Sequence, residues 1–343
     1  MAAAGRRRGL AIIGLGMAST PHVKSLADLA DRVEVKAAWS RSPERRAAFA
    51  EKFPFPVSGD FEAILADPQI ELALVLTPPD ARVEIVQRLA AAGKHVLAEK
   101  PLERTTPAAE SIVEACEQAG VTLGVVFQQR FRAGSERLRA LLDDGSLGTL
   151  AAVQLVVPWW RPQSYYDVPG RGTLARDGGG VLLTQAVHSL DLMLSLTGPV
   201  AEVAAIAGTT AMHRMETEDF VGAGLRFVNG ALGGLIATTA AAPGGLERLV
   251  LTGTHGTASL EAGTVTVDWL DGRREQHGEP AATGGGADPM AFPHDWHRSV
   301  IADFLDAVDQ GRQPRISGRE ALNVHRLIDA LLLSAAEGRR AAV

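Results

Sequence analysis

The stretch Leu10-Ala11-Ile12-Ile13-Gly14-Leu15-Gly16-Met17-Ala18-Ser19 decides the fold. Its first four residues form a short apolar run typical of a buried strand, and a helix is predicted to open near Thr20-Pro21, because proline is tolerated in the first turn. The residues between follow the pattern G-x-G-x-x-G with serine in the third place. Gly14 allows a tight turn, Gly16 lets a pyrophosphate approach the backbone at a helix N-terminus, and the small Ser19 lets helix and strand pack closely. The stretch therefore predicts a dinucleotide-binding turn.

This turn opens an alternating series of strands and helices, which predicts a doubly wound parallel sheet. The alternation ends near Phe127-Gln128-Gln129-Arg130, so we predict a dinucleotide-binding domain over residues 1–128 and a domain for substrate binding and oligomerisation over residues 129–343. In the second domain longer strands follow one another without crossover helices, which predicts a large, open, mostly antiparallel sheet. The predicted strands are Leu10–Ile13, Val33–Trp39, Leu72–Leu76, His95–Ala98, Leu123–Phe127, Leu150–Val157, Val200–Gly208, Phe220–Val228, Ala231–Thr239, Glu247–Thr252 and Thr264–Trp269.

A lysine stands at the end of one parallel strand, in the run Gly93-Lys94-His95-Val96-Leu97-Ala98-Glu99-Lys100-Pro101. Pro101 cannot donate to a strand ladder, so the strand stops there, and a Lys-Pro bond can be cis. Ligands of doubly wound sheets bind outside the carboxyl ends of the strands. We therefore predict Lys100 in the active site; the alternative is a surface lysine that ends an ordinary strand.

The tip of the second strand bears on the cofactor. An NAD site usually has Asp or Glu there, whereas an Arg accommodates the 2′-phosphate of NADP. Here the strand ends in Ser40-Arg41-Ser42-Pro43, and a hydroxyl with a guanidinium suits a phosphate dianion. We predict NADP, with NAD as the second choice. In the alternative interpretation Ser40 merely caps the helix from Pro43 and Arg41 is solvated.

A second chemical centre is predicted on a helix from Val181 to Leu196. Thr184, His188, Asp191 and Ser195 recur at helical spacing and form one polar stripe in an otherwise apolar segment. Such a stripe needs partners, and an imidazole that titrates near neutrality suits proton exchange with a carbinol. The alternative is a core histidine bonded to Asp191 or to backbone.

Together these segments resemble the Gfo/Idh/MocA family of nicotinamide-dependent oxidoreductases. The matching segments are Gly14-x-Gly16-x-x-Ser19-x-x-His22, Leu76-Thr77-Pro78, the run Gly93 to Pro101, and Gly178-Gly179-Gly180 through His188 to Asp191. The resemblance implies an N-terminal Rossmann domain, a C-terminal α/β domain with a large open sheet, and sugars, sugar derivatives, inositols or cyclic diols as substrates. It favours His188 as catalytic. The family commonly has His where Arg82 stands, so we assign Arg82 no role.

The expected reaction is reversible hydride transfer between a substrate carbinol carbon and nicotinamide C4. We expect the Lys100 ammonium and the His188 imidazole, from different domains, to converge beside the nicotinamide. Many relatives carry Asp where this chain has Thr184, so the proton is expected mainly on Lys100, whose pKa desolvation near a cationic ring would lower. The loop at Thr77-Pro78 is expected to contact the nicotinamide end of the cofactor; the alternative is a plain strand-to-helix turn. The predicted cofactor-binding residues are Gly14, Gly16, Met17, Ala18, Ser40, Arg41, Thr77, Pro78, Glu99 and Lys100.

Substrate contacts are predicted from the loop Trp159-Trp160-Arg161-Pro162-Gln163-Ser164-Tyr165-Tyr166-Asp167, which holds both tyrosines and two of the five tryptophans. Aromatic faces and hydroxyls suit a polyol ring, and Arg161, Arg171 and Arg176 offer a clamp for carboxylate or phosphate. Alternatively the loop is an arm that packs on a partner subunit. The predicted substrate-binding residues are Trp159, Arg161, Tyr166, Arg176, Thr184, Gln185 and His188.

Composition and charge exclude other classes. A net charge of −6, with acidic residues spread along the chain, argues against nucleic acid, and no apolar stretch is long enough to span a membrane. The single Cys116 indicates a reducing compartment, so we predict a cytoplasmic protein. A broad open sheet with an exposed face favours an oligomer, which we predict to be a homodimer or homotetramer. Gly284-Gly285-Gly286 through Phe292 to His297 suggests a flap. His294 and His297 lack a third ligand, so no metal is predicted, and Asp295 is expected to cap the next helix.

The main hypothesis is an NADP-preferring dehydrogenase or reductase that acts on a CH–OH group of a sugar-like or cyclic polyol substrate. One alternative is a cyclic dihydrodiol carboxylate dehydrogenase, in which the three arginines bind the acid. Another is a cofactor-binding regulator without turnover, and a third is redox-assisted glycoside cleavage.

Overall fold

The structure is a computed structural model that describes residues 7–16, 18–280 and 293–343. The chain divides into two compact units. The first contains the chain up to Val126 and His294–Ala321, and the second contains Phe127–Pro293 and Leu322–Val343. The predicted division into residues 1–128 and 129–343 stays a prediction; unlike that division, the units assign the segment 294–321 to the first.

The strands of the described residues group into two sheets. In chain order they are β1 (Arg8–Ile13), β2 (Val33–Trp39), β3 (Val57–Ser58), β4 (Ile70–Val75), β5 (His95–Ala98), β6 (Leu123–Val125), β7 (Leu150–Pro158), β8 (Val200–Gly208), β9 (Phe220–Phe227), β10 (Leu232–Thr238), β11 (Arg248–Gly253), β12 (Gly256–Glu261), β13 (Thr264–Trp269), β14 (Arg274–His277) and β15 (Ala341–Ala342).

Helices connect and cover these strands. In chain order they are α1 (Ser19–Asp28), α2 (Pro43–Ala50), α3 (Phe61–Ala66), α4 (Arg82–Ala91), α5 (Thr106–Gln118), α6 (Ala133–Asp143), α7 (Gln163–Tyr166), α8 (Val187–Thr197), α9 (Asp295–Gln310) and α10 (Gly318–Glu337), with 3₁₀ turns at Pro79–Ala81 and Gln128–Phe131 and a π-helical segment at Leu182–Ala186.

The first unit contains a six-stranded parallel sheet in the order β3-β2-β1-β4-β5-β6. The interior residues of β1, β4 and β5 are almost all buried, as expected for a parallel sheet covered by helices on both faces. The order places the ends of β1, β4 and β5 side by side, so the loops after them share one edge. The predicted doubly wound sheet is confirmed.

Helix α9 packs with the first unit through an apolar face that includes Val300, Ile301 and Phe304. Gly124 in β6 leaves room for this face, because a Cβ atom there would lie 2.9 Å from the Phe304 ring. Beyond α9, the backbone N–H of Val125 donates to the carbonyl of Ile316 over 3.0 Å. These contacts explain why the chain returns to the first unit.

The second unit contains a nine-stranded sheet in the order β14-β13-β12-β11-β7-β10-β9-β8-β15. Every neighbouring pair is antiparallel except β7 and β10, which run parallel. The predicted mostly antiparallel sheet is confirmed. The sequence analysis missed β12, whose Gly-Thr-Ala-Ser-Leu-Glu sequence has too few large apolar residues to signal a strand.

One face of this sheet exposes apolar side chains at Ile206, Leu232 and Ile236, which are 77%, 53% and 46% exposed. Among the described residues, no helix combines the length and the apolar character needed to cross a bilayer.

Candidate active site

The glycine turn after β1 has the backbone geometry that the sequence predicts. Gly14 has φ +108°, and a Cβ atom there would lie 2.8 Å from the Leu76 carbonyl carbon and from the Thr77 nitrogen, so a side chain does not fit. A Cβ atom at Gly16 would meet no atom within 4 Å. The open backbone beside the N-terminus of α1 therefore fits a pyrophosphate.

The neighbours of these glycines close the turn. Ser19 donates its hydroxyl to the carbonyl of Gly16 over 2.7 Å, and Ala18 precedes the first residue of α1. Met17, which we also predicted at the cofactor, lies outside the described residues.

The tip of β2 carries two guanidinium groups. Arg41 is exposed, and Arg46 donates to the carbonyls of Ser40 over 2.6 Å and of Arg41 over 3.1 Å. The sequence analysis missed Arg46, although its position one turn into a helix after the tip was a signal. The alternative role for Ser40 is wrong: Ser42 caps α2 by accepting the N–H of Arg45.

At the end of β4, Thr77 has a buried hydroxyl without a hydrogen-bond partner among the described residues. A buried polar group normally has a partner, so this hydroxyl is suited to a bound ligand. Pro78 follows directly and leads into the 3₁₀ turn before α4.

Lys100 follows β5, and the Lys100–Pro101 peptide bond is cis. Its neighbour Glu99 accepts the backbone N–H of Lys100 over 3.0 Å and pairs with Nε2 of His22 over 2.7 Å. Burial opposes ionisation of Glu99, but the hydrogen bond from His22 and the nearby His22, His297 and Lys100 hold the pKa of its carboxyl well below its usual range. Glu99 thus supports the loop that carries Lys100, and its contact with cofactor stays a prediction.

His297 of α9 adds a third group to this pair. Its ring lies edge-to-face with His22 at 4.8 Å, and burial, together with His22, lowers its pKa to about 3. The ligand atoms of His22, Glu99 and His297 lie within 4.8 Å of one another. We predicted no metal because His297 lacked further ligands in the sequence, and this reason does not hold. The His22–Glu99 hydrogen bond nevertheless accounts for the cluster without an ion.

His294 points elsewhere and pairs with Asp28 over 2.9 Å. The prediction that Asp295 caps α9 is wrong, since Asp295 is the first helical residue and His294 occupies the cap position without a side-chain bond. The predicted flap from Gly284 to Phe292 lies outside the described residues.

In the second unit, the aromatic loop and the helical segment meet. Arg161, which is 1% exposed, donates Nη2 to Oε1 of Gln185 over 3.2 Å. The Gln185 amide donates to the hydroxyl of Tyr165 over 3.4 Å, and Trp159 lies with its ring 5.6 Å from the Arg161 guanidinium. The structure thus brings together predicted substrate residues from separate segments, with Tyr165 in addition.

A buried pair that the sequence analysis missed supports this cluster. His213 Nδ1 pairs with Asp219 over 2.7 Å, and its Nε2 pairs with the carbonyl of Arg161 over 2.8 Å. Tyr166 shares a hydrogen bond of 2.7 Å with Thr239, and burial raises the pKa of Tyr166 to about 12. The sequence analysis did not find these contacts: His213 and Asp219 are only six residues apart, but the His213–Arg161 and Tyr166–Thr239 contacts join residues that are distant along the chain.

The three arginines make different contacts. Arg161 is buried against Gln185, Arg171 lies 4.0 Å above the Tyr165 ring, and Arg176 donates to the carbonyl of Pro169 and lies 3.9 Å from Asp177.

His188 is 8% exposed, and its ring lies edge-to-face with Phe127 at 5.9 Å. Asp191 receives a bidentate pair from Arg130, at 2.7 Å from Nε and 2.6 Å from Nη2. Thr184 donates instead to the carbonyl of Gly180, and Ser195 to that of Leu192. A π-helical segment precedes α8, so Thr184 is not spaced from the other three residues as in a regular α-helix, and the single polar stripe stays a prediction.

Glu218 holds the start of this helical segment. Its carboxylate accepts the N–H of Gly180 over 3.0 Å and that of Leu182 over 3.1 Å. A Cβ atom at Gly180 would lie 1.9 Å from the carbonyl oxygen of Glu218, so only glycine fits there. Burial raises the pKa of Glu218. The sequence analysis assigned no role to Glu218, which positions the segment that carries Gln185 and His188.

These features define a dinucleotide-binding oxidoreductase with a second, sheet-based unit. The oxidoreductase family with an NAD-binding Rossmann fold matches residues 8–127, and the GFO/IDH/MocA C-terminal domain matches residues 135–259. The chain belongs to the Gfo/Idh/MocA family, as the sequence analysis predicted.

Several characterised proteins are similar to this chain. A 1,5-anhydro-D-fructose reductase of Ensifer adhaerens is 29% identical over 300 residues, covering 84% of this chain and 85% of that protein. A D-xylose 1-dehydrogenase (NADP⁺) of Haloferax volcanii is 27% identical, covering 89% and 90%. The WlbA dehydrogenase from Bordetella pertussis, whose crystal structure contains NADH and UDP-GlcNAcA, is 28% identical in sequence. The structural match has a TM-score of 0.84 and covers 98% of this chain and 99% of that protein.

Proposed function

We propose that this protein is an NADP-preferring dehydrogenase or reductase that acts on a CH–OH group, or the corresponding carbonyl, of a sugar-like or cyclic polyol substrate. The observation that carries the proposal is the shared edge of the first sheet. There the open glycine turn, Thr77 and the strand-end Lys100 follow three adjacent strands, and the Thr77 hydroxyl has no hydrogen-bond partner within the described part of the chain. The named activities of two relatives, 1,5-anhydro-D-fructose reductase and D-xylose 1-dehydrogenase, support the substrate class.

A bound nicotinamide would supply or accept the hydride at its C4 atom. Gly14, Gly16 and Ala18 would bind the pyrophosphate, and Thr77, with Pro78, would contact the nicotinamide end. Lys100 would take the hydroxyl proton during oxidation and return it during reduction, since a lysine in a desolvated site can act as a base.

The second unit would bind the substrate. His188 would hydrogen-bond the reacting oxygen, and Arg161, Gln185 and Tyr165 offer donors and acceptors for the other hydroxyls. We favour a neutral polyol over a dihydrodiol carboxylate, because Arg176 is already engaged by Pro169 and Asp177. Trp159, Tyr166 and Thr184 would shape this site.

The NADP preference rests on the β2 tip, where Arg41 follows Ser40 directly and Arg46 donates to the carbonyls of both residues. These two guanidinium groups would receive a 2′-phosphate. We further propose a cytoplasmic homodimer or homotetramer that covers the exposed apolar face at Ile206, Leu232 and Ile236, since such faces mark interfaces.

The test measures the change in nicotinamide absorbance when aldoses, inositols, cyclic diols and sugar acids are each offered with NADP⁺ and with NAD⁺. We expect turnover of a neutral polyol or sugar. Replacing Lys100 by Met should lower kcat by about 10²-fold or more, the usual contribution of a positioned acid or base.

The matched control is Lys52→Met, which removes a charge from an exposed lysine and should leave kcat unchanged. Tight cofactor binding without turnover of any compound would favour a regulator and overturn the proposal. Full activity of Lys100→Met would overturn the role of Lys100.

A further inference from the structure

Arg82, the first residue of α4, is 3% exposed and turns its guanidinium toward backbone carbonyls. Its Nε and Nη2 donate to the carbonyl of Thr77 over 2.9 and 2.7 Å. Its Nη1 donates to the carbonyls of Glu99 and Pro101. One side chain therefore ties the loop after β4 to the loop after β5, entirely within the first unit.

The two carbonyls bound by Nη1 flank Lys100 on both sides. The backbone of Lys100 is also fixed through its N–H, which donates to the Glu99 carboxylate. On the other loop, Thr77 is fixed from two directions, because its carbonyl binds Arg82 while its nitrogen packs against Gly14. Arg82 thus links the two loops whose side chains, Thr77 and Lys100, we place at the nicotinamide end.

Arginine suits this position for a physical reason. Its planar guanidinium offers five N–H donors in a rigid fork, and Arg82 uses them for four hydrogen bonds to three carbonyls, one more than the three donors of a lysine ammonium could make. Burial lowers the pKa of Arg82 to about 10, while Glu99, Glu103 and Asp80 oppose that change. The group therefore remains cationic at neutral pH, and its donors remain available.

We propose that Arg82 is a positioning residue: it holds the Thr77 loop and the Lys100 loop at the spacing that the nicotinamide end of the cofactor requires. This inference rests on the proposed function. Among the described residues, the hydrogen bonds of Arg82 go to Thr77, Glu99 and Pro101, and none goes to the glycine turn after β1 or to the β2 tip. The adenosine and pyrophosphate contacts should therefore depend on Arg82 less than the nicotinamide contacts do. Replacing Arg82 should therefore change the affinity for a ligand that contains the nicotinamide more than the affinity for a ligand that lacks it.

The experiment compares Arg82→Lys with wild type by calorimetry, using two ligands. NADPH contains the nicotinamide. The second ligand, 2′-phospho-ADP-ribose, contains the adenosine, the 2′-phosphate and the pyrophosphate but no nicotinamide. We expect the affinity for NADPH, and kcat with any turned-over substrate, to fall about tenfold or more, while the affinity for the fragment stays within about twofold. Arg88→Lys is the control, since Arg88 lies on the same helix but binds the distant Glu62 at the surface.

An equal loss for both ligands would show a general structural role and overturn the proposal, as would an unchanged affinity for NADPH. If Arg82→Lys fails to fold, Arg82→Gln, which keeps two N–H donors without the charge, is measured in the same way. Should wild type bind NADPH but turn over no polyol or sugar, the proposed function fails, while the ratio of the two affinities still decides the role of Arg82.

Discussion

At the scale of single residues, contacts from distant parts of the chain fix the proposed catalytic groups. Glu99 shows this most clearly: one carboxylate oxygen binds His22 of α1 and the other binds the N–H of Lys100. The carbonyl of the same residue binds Arg82. A buried carboxylate is tolerated because each oxygen has a donor, and the result is a Lys100 backbone with little freedom to move.

The cofactor preference belongs to this scale. We expect Arg41→Ala to weaken NADP⁺ binding about tenfold more than NAD⁺ binding, because only NADP⁺ offers a phosphate for a charge-assisted hydrogen bond. Fluorescence titration of the variant and of wild type with each cofactor measures this difference in affinity. Arg45→Ala is the control, since Arg45 is an exposed arginine of α2. Equal losses for both cofactors would contradict the assignment.

Sequence could predict the residues whose role is local. The conformation of Gly14 was predictable because its tight turn requires a conformation that glycine adopts easily. The position of Lys100 after β5 was predictable because the strand before it is apolar, while its catalytic role stays a prediction. Arg82 and the His213–Asp219 pair were not, because each acts through partners that only the tertiary fold brings near. Arg46 lies between these cases, since it is one helical turn from the tip that it binds.

At the scale of elements, the sequence predicts β1, β2, β4 and β5, because each is rich in apolar residues, although Glu34 and Lys36 interrupt β2 and Glu71 interrupts β4. It misses β12, a strand of mostly small and polar residues. It predicts a helical segment from Val181 to Leu196 but not the π turn within it, which shifts the spacing of side chains and is held by Glu218 from outside the segment. Local π turns of this kind occur frequently at functional sites.

The start of that segment gives a prediction about stability and activity. Gly180→Ala should lower the free energy of unfolding by about 1–3 kcal/mol, because its Cβ atom would overlap the backbone of Glu218. It should also lower kcat/KM, since Gln185 and His188 would move with the segment.

Urea unfolding and steady-state kinetics measure both effects. Gly208→Ala is the control, because a Cβ atom at Gly208 meets no atom within 4 Å. A Gly180→Ala variant as stable and active as the control would show that the contact with Glu218 does not position the segment.

At the scale of the whole molecule, the return of α9 to the first unit is the feature that a linear domain prediction could not contain. Its buried His297 predicts a pH dependence. The folded-state pKa of about 3 lies below the ordinary value of 6.5, so between these values the unfolded chain binds a proton that the folded chain does not. The free energy of unfolding therefore falls as the pH falls through this range.

Between pH 7 and pH 5, His297 should account for a loss of about 2 kcal/mol in the free energy of unfolding. We expect His297→Gln to remove this part of the pH dependence, measured by urea unfolding at both pH values. His255→Gln, at an exposed histidine, should keep it. The same decline in His297→Gln as in wild type would assign the effect to other groups.

The position of α9 also bears on biosynthesis. Domains generally fold as units while the ribosome is still translating the rest of the chain, but residues 127–293 must be made before α9 emerges. Until then, a nascent N-terminal half lacks the Phe304 ring beside β6 and the His297 ring beside His22. The nucleotide-binding unit therefore reaches its final packing only after the residues of α9 have been translated.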